Sequence, residues 1–258
     1  MTTGDGAGAD SPAWRHEDLT NPHAVADKAT RVRGMFSAIA PSYDINNRVH
    51  SLWLDQSWRK SAVKAAQVKP GDLVLDIACG TGDLTMAFAK SPASTVIGVD
   101  YTPAMLEIAG HKKPTLPEAF ASKVSYEEGD AQSLRFADAS ADVISIAFGI
   151  RNVADPMKAL REFARILKPG GRLVVLEFER PGVPPFSWFY DFYCGWIMPR
   201  TATIISGDRS GAYRYLPASV GTFMTKERML DSLKEAGFRT ASAKSLSFGI
   251  CNCFIATR

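Results

Sequence analysis

The chain predicts an α/β fold, a doubly wound and mostly parallel sheet with helices on both faces. Three observations predict it. Apolar segments of strand length alternate with amphipathic segments of helix length from about residue 73 to 179, which is the signature of a parallel sheet covered on both sides. Right-handed crossovers then favour the doubly wound arrangement. Finally, the C-terminal stretch "TASAKSLSFGICNCFIATR" reads as two strands around a short turn near Ser247, so one antiparallel strand enters an otherwise parallel sheet.

Taken in order, residues 1–25 are rich in Gly, Asp and Ala without periodicity and read as a mobile tail. Residues 26–69 form a helical flap, with amphipathic helices expected over 27–40 and 48–67. The domain proper spans 70–258. "LVLDIA" (73–78) is a strand, "LTMAFAKS" (84–91) a helix, "TVIGVD" (95–100) a strand and "PAMLEIAGHKK" (103–113) a helix. Strands follow at 124–130 and 141–148, then a helix at 155–167 and a strand at 171–179. An insertion at about 182–224 interrupts the pattern, and a helix at 226–238 precedes the hairpin.

Composition narrows the function. With 258 residues, 46% apolar and 22% charged, the chain has ample material for a core. A net charge of +3, without a dense Lys/Arg tract, argues against nucleic acid as a partner. Four cysteines make no disulfide framework in a chain this long, and Cys251 and Cys253 read better as two residues on one face of a strand than as a metal site. No His/Cys/carboxylate cluster has ligand spacing, so no metal is expected. The N-terminus lacks the features of a secretory signal, and a reducing cytoplasm is the expected location. The most apolar segment, 184–205, is interrupted by Asp191, Pro199 and Arg200, short of the roughly 20 apolar residues a spanning helix needs.

The stretch "DIACGTGDLT" (76–85) carries the chemistry. It follows a strand, where ligands bind in open parallel sheets. A dinucleotide fingerprint would require glycine where Thr85 stands, and the phosphate-loop pattern is absent. Gly80 and Gly82 alone also fit a plain turn. Asp100 closes the next strand, eighteen residues after Gly82; there it can accept from both ribose hydroxyls or merely cap the following helix. Asp130 ends the third strand and can meet an adenine amino group or serve as a turn residue. Together they specify a nucleoside without a long phosphate chain.

The run "VLDIACGTGDLT…VIGVDYTPAML…GDAQSLRF" resembles the class I S-adenosylmethionine-dependent methyltransferases. That resemblance implies seven strands, the last antiparallel, and S-adenosyl-L-methionine as methyl donor. "PSYDINNRVHSLWLDQSWRK" (41–60), "AFGIRNVADPMKALREFARILKPGGRLVVLEFERP" (147–181) and "SGDRSGAYRYLPASVGTF" (206–223) are similar to the ubiquinone/menaquinone biosynthesis C-methyltransferases, over about residues 30–258. The last is closer to the menaquinone branch. The family often has other residues where Asn46, Asp55, Ala147 and Met224 stand.

Carried over by position, the resemblance gives the cofactor Asp76, Gly80, Thr81, Gly82, Asp100, Asp130 and Ala131. Arg151 and Asn152 face the acceptor, and Tyr43 and Asn47 close from the flap. The implied reaction is C-methylation of a prenylated naphthoquinol, demethylmenaquinol to menaquinol. The alternatives are the equivalent step in ubiquinone biosynthesis, a small-molecule O- or N-methyltransferase, or a cofactor-binding protein that has lost catalysis. The ring carbon becomes nucleophilic when the neighbouring hydroxyl is deprotonated, and Arg151 is expected to stabilise that phenolate. His50 is a candidate base; a packed or surface histidine is the competing reading. The aromatic insertion around 184–205 reads as a tail-binding trough, a peripheral membrane contact or lobe core, and a homodimer is compatible with the chain.

Overall fold

The central parallel strands run as expected because each is apolar enough to be buried on both faces, while the edge strand over 124–128 is partly exposed. The computed structural model describes residues 14–258 apart from 16, 183 and 209. Its strands are β1 (Leu73–Ile77), β2 (Thr95–Asp100), β3 (Val124–Glu128), β4 (Ala141–Ala147), β5 (Leu167–Phe178), β6 (Thr240–Leu246) and β7 (Cys251–Thr257). They form one seven-stranded sheet in the order β3-β2-β1-β4-β5-β7-β6. β1 to β5 are mutually parallel, and β7 inserts antiparallel between β5 and β6. The chain reverses direction of winding on either side of β1, so the crevice between β1 and β4, at the carboxyl ends of the strands, is the position for a ligand.

One apolar layer, with Phe163, Leu160 and Leu233, packs α7 (Pro156–Ile166) and α11 (Lys226–Glu235) on one face of the sheet. The other layer, with Trp58 and Phe88, packs α3 (Leu54–Ala65) and α4 (Asp83–Ala89) on the opposite face. Cys251 and Cys253 are free, buried and two residues apart on β7, within this second layer. Between them Asn252 turns to the other side and accepts from Ser245 Oγ at 2.7 Å. The polar ending of the chain therefore has a partner in the sheet.

The structure differs from the sequence expectations in four places. The helix expected over 48–67 is two helices, α2 (Tyr43–Ser51) and α3. Leu52 and Trp53 separate them in left-handed backbone, φ 50° and 63°. The expected tail stops early. Among its described residues, Trp14 is buried against Tyr215 with ring centroids 4.3 Å apart, and Glu17–Thr20 and Pro22–Ala24 form 3₁₀ turns; residues 1–13 lie outside the described residues. β5 begins at Leu167 rather than 171, since Leu167 pairs with Ala141 before a register shift brings Arg172 opposite Val143. The insertion comprises α8 (Phe186–Phe192), a π-helical turn, α9 (Met198–Ser206) and α10 (Ala212–Gly221). It leaves Phe186, Trp188, Phe189, Phe192 and Trp196 exposed instead of using them as core.

Candidate active site

The carboxyl ends of β1 and β4 open onto a cleft of about 790 Å³, including its mouth. Two residues at this edge, Ala78 after β1 and Phe148 after β4, hold left-handed backbone at φ 51° and 58°. Non-glycine residues in that region carry local strain, which clusters at functional sites. Gly149 fits beside Ala78 because an added Cβ would lie 2.6 Å from the Ala78 Cβ.

The two glycines after β1 do different jobs. At Gly82 (φ 82°) a Cβ would fall 2.3 Å from the Tyr126 phenol oxygen, so glycine there makes room for a tyrosine packed under the loop. At Gly80 (φ 56°) the nearest atom to an added Cβ is Tyr43 Cε1 at 4.0 Å. Gly80 therefore faces the cleft, and Gly82 faces the protein.

Asp100, Asp130 and Ala131 line the cleft with Gly80, Tyr43 and Asn152. Asp100 is buried at the end of β2. Its Oδ2 accepts from the Gly80 N–H and its Oδ1 from the Thr102 N–H, both at 2.8 Å. Burial pushes its carboxyl up, while these backbone donors pull it down. A carboxylate has about four acceptor sites, so both oxygens retain capacity for ligand hydroxyls. Asp130 Oδ1 accepts from the Gln132 N–H at 2.9 Å. The cleft is lined by these two carboxylates and, among the described residues, by no lysine or arginine. Such a lining suits a cationic nucleoside and disfavours a phosphate.

Asp76 lies deeper. It borders a smaller polar cavity shared with Thr81, Asp83 and Arg59. Its oxygens accept from Thr85 Oγ1 at 2.6 Å and Ser145 Oγ at 2.7 Å, and burial pushes its carboxyl up to about 6. Asp76 thus ties β1 to β4 and α4 beneath the site. Thr81 Oγ1 donates to Asp44 Oδ1 at 2.6 Å, so its hydroxyl is engaged by the flap.

That contact belongs to an ionic lattice that sequence reasoning missed. The Lys112 ammonium bridges Asp44 at 2.7 Å and Asp83 at 2.5 Å. Arg48 spans Asp55 and Asp83, and Arg59 meets Asp55 at 2.8 Å. Burial opposes ionisation of Asp83, but the Lys112 ammonium and the Arg59 and Arg48 guanidiniums outweigh it and hold the carboxyl down at about 2. Asp55 is buried and shared by two arginines.

Of the four residues expected to be catalytic, Tyr43 and Asn152 line the cleft, whereas Arg151 and His50 do not. Arg151 is buried. Its Nη1 donates to Glu177 Oε1 at 2.6 Å and to the Phe148 carbonyl at 2.7 Å. Asn152 Oδ1 accepts from the Tyr215 hydroxyl at 2.9 Å. The buried Lys28 ammonium donates to the carbonyls of Arg151 and Val153 at 2.8 and 2.7 Å, and burial pushes it down to about 8. The turn after β4 is therefore held by Arg151 through the Phe148 carbonyl and from the flap by Lys28. His50 Nδ1 is 3.0 Å from the Tyr193 hydroxyl, which also donates to the His50 carbonyl at 3.1 Å. Burial lowers the imidazole's proton affinity.

Comparison with known proteins decides the family. The sequence profile of the ubiE/COQ5 methyltransferase family matches residues 24–258. This chain belongs to that family. A demethylmenaquinone methyltransferase of Thermus thermophilus is 43% identical over 87% of this chain and 100% of its own. One of Deinococcus radiodurans is 40% identical over 89% and 93%. A ubiquinone/menaquinone biosynthesis C-methyltransferase of a Geobacter species is 37% identical over 92% and 100%. Solved structures agree on the fold. A putative methyltransferase bound to the Trm112 activator of Haloferax volcanii superposes with a TM-score of 0.62 at 19% identity, covering 86% of this chain and 96% of that one. A Thermotoga maritima S-adenosylmethionine-dependent methyltransferase gives 0.61 at 21%, covering 88% and 99%. The protein is thus an S-adenosylmethionine-dependent methyltransferase of this family, and the expected seven-stranded fold with its antiparallel last-strand insertion is the one observed.

Proposed function

We propose that this enzyme methylates the ring carbon of demethylmenaquinol, giving menaquinol. The supporting observation is the cleft between β1 and β4, which offers two carboxylates and, among the described residues, no lysine or arginine to a ligand in a chain whose relatives carry that activity in their names. S-adenosylmethionine supplies an electrophilic methyl group. Asp100 receives the ribose hydroxyls, Asp130 and Ala131 lie against the adenine, and Gly80 and Thr81 border the methionine end. Asp76 and Gly82 hold the loop in shape from beneath.

On the acceptor side, Tyr43 and Asn152 face the ring. Arg151 acts through them as a positioning residue, since its guanidinium is occupied by Glu177 and by the Phe148 carbonyl. His50 lies outside the cleft and is tied to Tyr193, which fits a packed histidine better than a base; in this reading the phenolic proton leaves to solvent at the open cleft mouth.

The deciding experiment supplies methyl-labelled cofactor with a short-tailed demethylmenaquinol and, separately, with a short-tailed benzoquinol of the ubiquinone type. Carbon-linked label in the naphthoquinol, seen by mass fragmentation, is expected. Transfer to the benzoquinol alone, or to oxygen, overturns the reading.

A further inference from the structure

Of the fourteen large apolar side chains that stand exposed among the described residues, all but Tyr101 fall in three segments: 45–54, 186–205 and position 248. These segments are far apart in sequence and adjacent in space. The Tyr193 hydroxyl bonds to His50, joining the insertion to α2. Trp58 Nε1 donates to Ser247 Oγ at 2.8 Å, joining α3 to the hairpin turn. The rings of Phe186 and Phe248 stack at 4.8 Å, joining the insertion to that same turn. One face results.

Two of its tips are presented at a conformational cost. Leu52 and Trp53, 78% and 63% exposed, sit in left-handed backbone, and so do Ser247 and Phe248, the latter 78% exposed. Bulky residues seldom adopt that region, and strain of this kind persists where it serves a function. A turn that needed only to reverse the chain would carry glycine or asparagine there.

Charge on the insertion points to the occupant. Asp191 is neutralised by Arg180 at 2.5 Å. Arg200 has no carboxylate partner among the described residues; it lies 4.6 Å over the exposed Trp196 ring and donates to the Trp196 carbonyl. The insertion thus offers aromatic rings and an arginine free to meet an anion. Indole and phenyl side chains flanked by a cation suit the headgroup layer of a bilayer. No helix among the described residues is long and apolar enough to cross a membrane.

We infer that this three-segment face seats the enzyme on the surface of an anionic lipid bilayer, beside the cleft mouth, so that a prenylated quinol reaches Tyr43 and Asn152 without leaving the lipid. The face rests on its own observations; the delivery of a quinol rests on the proposed function.

The test is flotation of the full chain with quinol-free vesicles, either phosphatidylcholine alone or phosphatidylcholine mixed with phosphatidylglycerol. Binding to the mixed vesicles is expected. The triple variant Trp53→Ser, Trp188→Ser, Phe248→Ser should weaken it about tenfold or more, and Arg200→Glu should remove the preference for phosphatidylglycerol. Turnover of a water-soluble, tail-less quinol should be unchanged in the triple variant, while turnover of a long-tailed quinol held in vesicles falls in parallel with binding. Absence of binding to both vesicle types overturns the inference. So does binding only when quinol is present, which would make the face a tail groove. So does a concentration-dependent dimer in sedimentation that the triple variant abolishes. If the tail-less quinol is not methylated but vesicle binding holds, it is the proposed function that fails.

Discussion

Removing the Arg151 guanidinium should damage the enzyme through the fold of its acceptor-side turn. Arg151 and Glu177 are 5% and 3% exposed at their side chains and 2.6 Å apart. Truncating one partner of such a pair leaves a buried charge unanswered, at a cost of about 3–5 kcal/mol. At about 2–4 °C per kcal/mol for a chain of this size, Arg151→Ala should lower Tm by about 6–20 °C. The Phe148 carbonyl loses its 2.7 Å donor at the same time, and Phe148 is one of the two strained residues at the cleft edge. The kcat should therefore fall by about a hundredfold, because Asn152 is no longer held in register, while affinity for S-adenosylhomocysteine changes little. Glu177→Gln should show the same two effects. The double variant Arg151→Met, Glu177→Leu should recover most of the Tm, since removal of both charges leaves neither unpaired, but not the kcat. Thermal unfolding and saturation kinetics on the four proteins provide the assay. An Arg151→Ala protein with wild-type Tm and a large loss of kcat would refute the reasoning, because the guanidinium would then be acting on the acceptor directly.

Asp100→Ala should weaken S-adenosylhomocysteine binding by about ten- to a hundredfold or more, because hydrogen bonds to a charged acceptor contribute about 1.5–3 kcal/mol each; calorimetric titration with unchanged affinity would remove Asp100 from the ribose. Asp76, with its folded carboxyl raised to about 6 by burial, should make stability depend on pH in the opposite sense to a salt-bridged carboxylate. The unfolded chain ionises first as pH rises, so Asp76 lowers stability progressively from about pH 4 to about pH 6, by about 3 kcal/mol in total. Asp76→Asn should flatten that part of the profile; denaturant midpoints of the two proteins that run parallel between pH 4 and 7 would contradict this.

How much of the enzyme is legible in its sequence depends on the range over which each feature is encoded. The central parallel strands are local and apolar on both faces, so their positions appear directly in the chain. Asp100 and Asp130 stand out because a polar residue at the end of such a strand has few other places to go. The break at Leu52 and Trp53 is invisible for the opposite reason: apolar periodicity runs through it, and neither residue is one that left-handed backbone selects. The early end of the tail is equally hidden, since Trp14 finds its place against Tyr215 through a contact no local pattern encodes. The same holds for the residues that position the chemistry. Lys28 reaches the Arg151 carbonyl across 123 positions of sequence, and Glu177 reaches Arg151 across 26. Asp44 and Lys112, 68 apart, meet over Thr81. A motif read alone assigns the Arg151 charge to the acceptor, because the sequence shows a cation at a strand end and not the anion buried beside it. Once Glu177 and the Phe148 carbonyl are seen to occupy that cation, the expected acceptor-side residues left lining the cleft are Tyr43 from the flap and Asn152 from the turn after β4.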